Sequence, residues 1–210
     1  MKTEDVDELQ QFYYVPNNNL SPGDVPDIIT EYDPEKDYPT VVDRFFTRLY
    51  HMRPERKGED HMLLLHSNRI CLMCLAPGHV AFEKGIKSVT YDIGNCDRSK
   101  NTVSGKRKKG GMHVQPGTAL ALITCKDGSE YKVISSITGK LVEVNQRIVD
   151  VPSRLGIDGE GYVAVIFPKI DQVNAIKDSL LTEEQYRKLI QDGSEYKVIS
   201  SITGKLVEVN

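Results

Sequence analysis

No run of apolar residues in this 210-residue chain approaches the length of a membrane span, so no transmembrane helix is expected. The first residues are acidic and lack the basic and apolar regions of a secretory signal, which points to a cytosolic or nuclear protein. Cysteine is scarce: Cys71, Cys74, Cys96 and Cys125 are all there are, and in such a compartment they are expected as reduced thiols. Cys71 and Cys74 form a C-x-x-C, but no second such pair and no H-x-x-x-H accompanies them. They lie in "RICLMCLA", which reads as a strand, where residues three apart point to opposite faces. Zinc and redox chemistry are therefore disfavoured at this pair. Also missing are a phosphate-cradling glycine loop, a metal-spaced cluster, a nucleophile with a neighbouring base and a well-separated carboxylate pair. The sequence points away from an enzyme, with no cofactor, no metal and no catalytic residue expected.

Charge is present but unevenly placed. The net charge of -3 divides into residues 1–40, with two Lys against ten Asp/Glu, and the rest, with 25 Lys/Arg against 20 Asp/Glu. The acidic part contains "NNNLSPGDVP" and "YDPEKDYP", whose composition buries too little apolar surface to offset the entropy of ordering. Residues 1–39 are expected to be a disordered acidic extension, followed by one folded domain over 40–191.

Within that domain "PTVVDRFFTRLYH" sets Val41, Val42, Phe45, Phe46 and Leu49 on one helical face, with Thr40 as N-cap and Asp43 closing a capping box. An amphipathic helix over 41–51 is expected. In "HMLLLHSNRICLMCLA" two apolar runs flank Ser67-Asn68, the pattern of a hairpin; His61 and His66 flank it. Residues 84–94 alternate imperfectly through Ile86, Val89, Tyr91 and Ile93, as a half-buried strand does. The stretch "ALALITCKDGSEYKV" brackets Asp127-Gly128, and a hairpin with a type I′ turn follows from that pair. Thr182 and Gln185 make a second capping box, with Leu181 and Tyr186 as its hydrophobic staple, on a helix ending near Gln191.

The cluster Lys106, Arg107, Lys108 and Lys109 lies between Gly105 and Gly110-Gly111. It reads as a solvated turn, a nuclear-import signal or an anion-binding patch, extended by Arg98 and Lys100 and by Lys84 and Lys87. Nucleic acid is the weaker partner, since no aromatic platform is interleaved with these cations.

The segment "DGSEYKVISSITGKLVEVN" occurs twice, as Asp127–Asn145 and as Asp192–Asn210. The first copy follows a partner strand. The second follows a helical stretch, so its Asp-Gly is expected to end a helix and residues 192–210 to form a loosely packed or mobile tail.

"GMHVQPGTALALI" and "ITGKLVEVNQRIVDVPSRL…GEGYVAVI" resemble the strands of biotinyl/lipoyl carriers, including the glycine-cleavage H-protein type. That resemblance implies a mainly β barrel-sandwich hybrid with flanking α-helices. In carriers the acceptor lysine sits at the hairpin tip after an acidic residue; here the tip falls on Asp127 or Gly128, with Lys126 within two residues, so no acceptor is expected. A wider resemblance comes from "VVDRFFTRLY", "EDHMLLLHSNRICLMCLAPGH", "VSGKRKKGG", "CKDGSEYKV", "GKLVEVN", "GYVAVIFPK" and "LLTEEQYRKL". These together look like the Abitram, or Simiate, family of actin-binding transcription modulators. What the resemblance implies is a non-enzymatic protein that binds actin, as filament or monomer, modulates filament assembly, and acts with nuclear proteins in transcription-linked processes. It further implies residence in nuclear speckles and in cytoplasm, including actin-rich projections. A carrier-like accessory protein of an enzyme complex and a nucleic-acid-binding module remain the alternatives.

Overall fold

The computed structural model describes residues 33, 35, 36, 38–94, 96–106 and 109–191. Most of the expected acidic extension and the whole repeated tail, 192–210, lie outside the described residues. The chain divides into two units, Met1–Tyr38 and Pro39–Asn210. In the first, the Asp33 N–H donates to the Tyr38 hydroxyl at 3.1 Å and the Lys36 ammonium lies over the Tyr38 ring.

The second unit opens with the expected cap. Thr40 Oγ1 accepts from the Asp43 N–H and Asp43 Oδ2 from the Thr40 N–H, each at 3.2 Å. The helix is shorter than its pattern predicts. Helix α1 covers Val41–Phe45, after which strand β1, Phe46–His51, begins. Val41 and Phe45, expected on a buried helical face, are 68% and 56% exposed, whereas the consecutive Leu49 and Tyr50 are both buried. Only an extended chain buries two adjacent side chains on opposite faces of one layer. Leu49 joins the main core and Tyr50 a second cluster on the far side.

Strands β2, His61–His66, and β3, Cys71–Leu75, form the expected hairpin. Its loop closes through the Arg69 N–H to the His66 carbonyl, with Arg69 at φ 75°. Buried on both faces, these strands read as continuous apolar runs. Cys71 faces the main core and Cys74 the second cluster, the opposition that their spacing demands. Next come α2, Val80–Lys84, and β4, Ile86–Thr90. A bulge between Ile86 and Ser88 accounts for the imperfect alternation. The short pair β5, Asp92–Ile93, and β6, Cys96–Asp97, leads to a 3₁₀ turn over Arg98–Lys100.

Strands β7, His113–Val114, β8, Ala119–Cys125, β9, Glu130–Ile134, and β10, Gly139–Val144, follow. After them come α3, Arg147–Asp150, a 3₁₀ turn over Pro152–Gly156, and β11, Ala164–Phe167. The described chain ends with α4, Val173–Ser179, β12, Leu181–Thr182, and α5, Glu183–Gln191. The second capping box forms as expected: Gln185 Oε1 accepts from the Thr182 N–H at 2.9 Å, and Thr182 Oγ1 from the Gln185 N–H at 3.3 Å.

These strands build a seven-stranded antiparallel sheet, β12-β1-β2-β3-β11-β10-β7, and a three-stranded one, β4-β8-β9. Between them lies one core, with Leu63, Met73 and Ile166 from the first sheet meeting Val89, Leu120, Ile123 and Val133 from the second. This is the mainly β, barrel-sandwich arrangement with flanking helices. On the outer face of the large sheet a smaller cluster of Val42, Tyr50, Met62, Leu64, Cys74 and Tyr186 docks α1 and α5. Tyr50 and Tyr186 stack there with ring centroids 4.2 Å apart.

The β8–β9 hairpin forms, but its turn differs from the expected I′ type. Asp127 keeps a negative φ while Gly128 adopts 85°. The Gly128 N–H donates to the Cys125 carbonyl and the Cys125 N–H to the Ser129 carbonyl, the signature of a type I turn followed by a glycine bulge. Asp127 Oδ1 accepts from the Ser129 N–H at 2.9 Å and from its hydroxyl at 2.5 Å. That local side-chain turn favours negative φ at the aspartate.

Glycine is required where the loop after α3 folds back. A Cβ on Gly161 would stand 2.6 Å from the Leu155 carbonyl carbon and 2.7 Å from the Arg154 oxygen, both backbone atoms. Gly161→Ala must therefore displace main chain, and is expected to destabilise by about 3 kcal/mol. A chemical-denaturation midpoint matching that of the unaltered protein would refute this.

Candidate functional site

Two surfaces and one buried cluster carry the chemistry of the described chain. The first surface is the basic loop. Ser104 and Lys109 exchange backbone hydrogen bonds at 2.9 and 2.8 Å, which brings these two residues side by side. Its two stems are clamped by Asn101: the amide donates to the Leu141 and Val142 carbonyls at 2.9 and 3.2 Å, and Oδ1 accepts from the Met112 N–H at 2.8 Å. The loop is thereby pinned to β10, at the β7 end of the large sheet.

Lys106 and Lys109 are exposed, and among the described residues neither has an ion pair; Arg107 and Lys108 lie outside the described residues. The other expected members of the patch are engaged elsewhere. Arg98 Nε donates to the Ala119 carbonyl at 3.1 Å and its Nη1 approaches Met112 Sδ at 3.7 Å, so this guanidinium holds the loop base to β8. Lys100 pairs with Asp97 at 3.4 Å. Lys84 pairs with Asp127 at 3.2 Å, donates to Ser129 Oγ, and lies over the Tyr131 ring. Lys87 is exposed on β4.

At the neighbouring hairpin the Lys126 N–H donates to the Gly85 carbonyl. Its aliphatic stem crosses Gly85, where an added Cβ would meet Lys126 Cδ at 3.2 Å. The lysine lies down on Gly85, at the end of α2.

The second surface is a cleft of about 890 Å³ on the outer face of the large sheet, which the sequence did not announce because its walls come from segments far apart in the chain. Tyr50, Met62, Cys74 and Tyr186 form its apolar floor, and Leu75, Phe82 and Leu155 its wall. At one end the Arg48 guanidinium is shared by Asp43 and, at 2.5 Å, by Asp158. Beside it, Glu183 and Arg187 pair at 2.5 Å along α5, whose start the β1–β12 register brings next to Arg48. Hydrogen bonds from Thr40 and Arg48 hold the Asp43 carboxyl down at about 2. Cys74 is the floor's nucleophilic atom, but burial pushes its thiol up to about 12. It is protonated at neutral pH, so this thiol is not a ready nucleophile.

The buried cluster is a row of three histidines. His51 and His61 ring centroids lie 6.3 Å apart, and His61 and His79 6.2 Å apart. Each ring meets β9 or the residues after it. His51 Nδ1 lies 2.9 Å from Ser136 Oγ, His61 Nε2 accepts from the Ile134 N–H at 3.4 Å, and His79 sits edge-on to Tyr131. His79 Nδ1 also caps α2 by accepting from the Ala81 N–H at 3.1 Å. Burial lowers all three below the usual imidazole range, His79 to about 4, with the Arg53 cation adding to the effect. Among the described residues no group of three or more His, Cys, Asp or Glu side chains is placed to hold a metal ion.

No protein-family model matches the chain. Among solved structures it is similar to a glycine cleavage system H protein from Mycobacterium marinum, with a TM-score of 0.43 and 16% identity over 70% of this chain and 97% of that one. Among curated proteins it is 49% identical over 198 residues to Protein Abitram of Drosophila melanogaster, covering 93% of this chain and 90% of that protein. It is 43% identical over 172 residues to Protein Abitram of Danio rerio, covering 78% and 96%. With the Homo sapiens Protein Abitram it shares 44% identity over 160 residues, covering 72% and 87%. This chain belongs to the Abitram family.

Proposed function

We propose that the protein is a non-enzymatic actin-binding protein that modulates filament assembly, with a further role in transcription-linked processes in the nucleus, and that its basic loop makes the contact. The role is the one the family resemblance implies. The observation that supports the contact face is that Lys106 and Lys109 stand exposed between flanking segments that Asn101 clamps to β10. Actin presents an acidic surface, so attraction between it and these cations steers encounter. Residence in nucleus and cytoplasm belongs to the same reading.

Co-sedimentation of the full chain with actin filaments tests it. Binding is expected to weaken as salt rises from about 0.05 to about 0.2 M, because exposed charges are screened over that range. Replacing Lys106, Arg107, Lys108 and Lys109 together by Ala is expected to lower affinity about tenfold, mainly through the association rate. Lys84→Ala, which removes a cation already paired with Asp127, is expected to change little. Unaltered binding by the fourfold variant would rule the loop out, and failure of the unaltered chain to pellet with filaments would remove the actin reading.

A further inference from the structure

The cleft on the outer face of the large sheet is assigned no partner by the reading above, and its chemistry is opposite to that of the basic loop. We propose that it is a docking groove for a basic, apolar segment of a partner polypeptide. This does not rest on the actin reading.

Charge selects the sign of the occupant. At the Asp43 end two carboxylates share one guanidinium, leaving one negative charge in excess. The cation sits behind its partners: the Arg48 side chain is 19% exposed, against 40% for Asp43 and 44% for Asp158. What an incoming group meets is therefore carboxylate oxygen with lone pairs to spare. The Glu183–Arg187 pair, which the β1–β12 register brings beside Arg48, is neutral and leaves the lining one negative charge in excess. A lysine or arginine head finds acceptors at Asp43 and Asp158, which a phosphate or carboxylate ligand cannot use.

The rim selects the rest. Stacked Tyr50 and Tyr186, with Met62, are buried beneath the cleft, so the apolar surface it offers stands at its edge. Two large aliphatic side chains at the rim, Ile157 and Ile190, are 48% and 51% exposed although they line the same cleft. Single exposed aliphatics are ordinary, but a pair on one concave, polar-rimmed surface marks an interaction site. Apolar anchors beside a cation describe an amphipathic peptide laid into a groove.

The place of the cleft gives the proposal a consequence. It lies over β1 and β2, whereas the basic loop is pinned at β10 and β7, at the other end of the strand order. Five strand steps separate β1 from β7, about 24 Å at the usual spacing. One molecule can hold an acidic partner at one end and a basic segment at the other.

The test is an NMR titration of the isotope-labelled full chain with two synthetic amphipathic peptides. Both carry leucine in helical period, one with lysine and the other with glutamate on the polar face. The lysine peptide is expected to shift amides of Tyr50, Met62, Leu155, Gly159 and Tyr186, and to bind at least about tenfold more tightly than the glutamate peptide. Asp158→Asn is expected to weaken the lysine peptide about threefold to tenfold. The double change Ile157→Ser with Ile190→Ser, at exposed positions where the fold is least at risk, is expected to weaken both peptides.

Equal binding of the two peptides overturns the proposal, as does a lysine peptide whose shifts avoid the cleft. Binding seen only after residues 192–210 are removed would assign the groove to the chain's own C-terminal segment. Shifts that follow protein concentration alone would assign it to a second copy. Either result overturns the proposal.

Discussion

Lowering the pH from about 7 to about 4.5 is expected to remove several kcal/mol of stability, with no fall between about pH 8 and 7. The unfolded chain protonates its histidines near 6.5. In the folded chain His51, His61 and His79 resist protonation because burial excludes the charged form. Across that interval the unfolded state binds more protons, so stability rises with pH and is lost as pH falls. His79, lowered from 6.5 to about 4, alone corresponds to about 3 kcal/mol once pH drops below its folded value. The charged groups acting on the row are mixed. Arg53 opposes protonation of all three rings, while Glu55 and Asp60 favour it at His51.

The geometry says where opening begins. His61 Nε2 accepts from the Ile134 N–H; once protonated it becomes a donor facing a donor. The same reversal at His79 Nδ1 removes the cap of α2. Strand β9 and α2 should therefore lose amide protection before β2 and β3. Urea midpoints measured from pH 7.5 down to 4.5, with hydrogen exchange at pH 5.5, would read both effects. Equal midpoints at pH 7 and pH 5 would refute the first, and uniform exchange the second. The held-down carboxyls of Asp43 and Asp127, at about 2, act in a separate window below about pH 4, where the unfolded carboxylates become protonated.

Asn145→Ala is expected to cost about 3–5 kcal/mol, enough to leave little folded protein at 37 °C. The side chain is buried and fully engaged. Its amide donates to the Glu160 and Tyr162 carbonyls, each at 2.9 Å, and its Oδ1 accepts from the Arg147 N–H at 3.2 Å. Its own carbonyl accepts from the Tyr91 hydroxyl at 3.0 Å, and that hydroxyl also reaches the Val163 carbonyl at 2.8 Å. Truncation removes the partners of two carbonyls and an N–H that converge on this buried position. Asn145→Asp is the informative companion, since it keeps the acceptor and loses the donors. It should fall between alanine and the native residue at low pH and no better than alanine at neutral pH. A midpoint for Asn145→Ala within about 1 kcal/mol of native would refute the reading of this side chain as a hub.

What could be read in advance depended on how local the cause was. The hairpin of β2 and β3 was legible because its partners are consecutive and its turn lies between two apolar runs. The caps at Thr40 and Thr182 were legible because each is a bond between residues three apart. The helix over 41–51 was not, since Phe46–His51 also suits a strand, and the deciding neighbours, β2 and β12, lie elsewhere in the chain. At Asp127-Gly128 the hairpin was legible but not its type, which the Ser129 bonds to Asp127 decide. The basic loop was visible as composition. That Arg98 is drawn to the Ala119 carbonyl, and Lys100 to Asp97, is tertiary and local detail that a count of cations passes over. The histidine row at 51, 61 and 79 follows no helical or strand period, and the cleft gathers residues from Asp43 to Ile190.

The insertion of β11 has a consequence for how the chain is made. It stands between β3 and β10, pairing Met73 with Ala164, about 90 residues apart. Until Phe167 has left the ribosome, the large sheet exists only as two halves with bare edges, and contacts so distant in sequence are slow to form. A nascent chain halted before that strand is the species that chaperones must shield, and the one from which aggregates would grow.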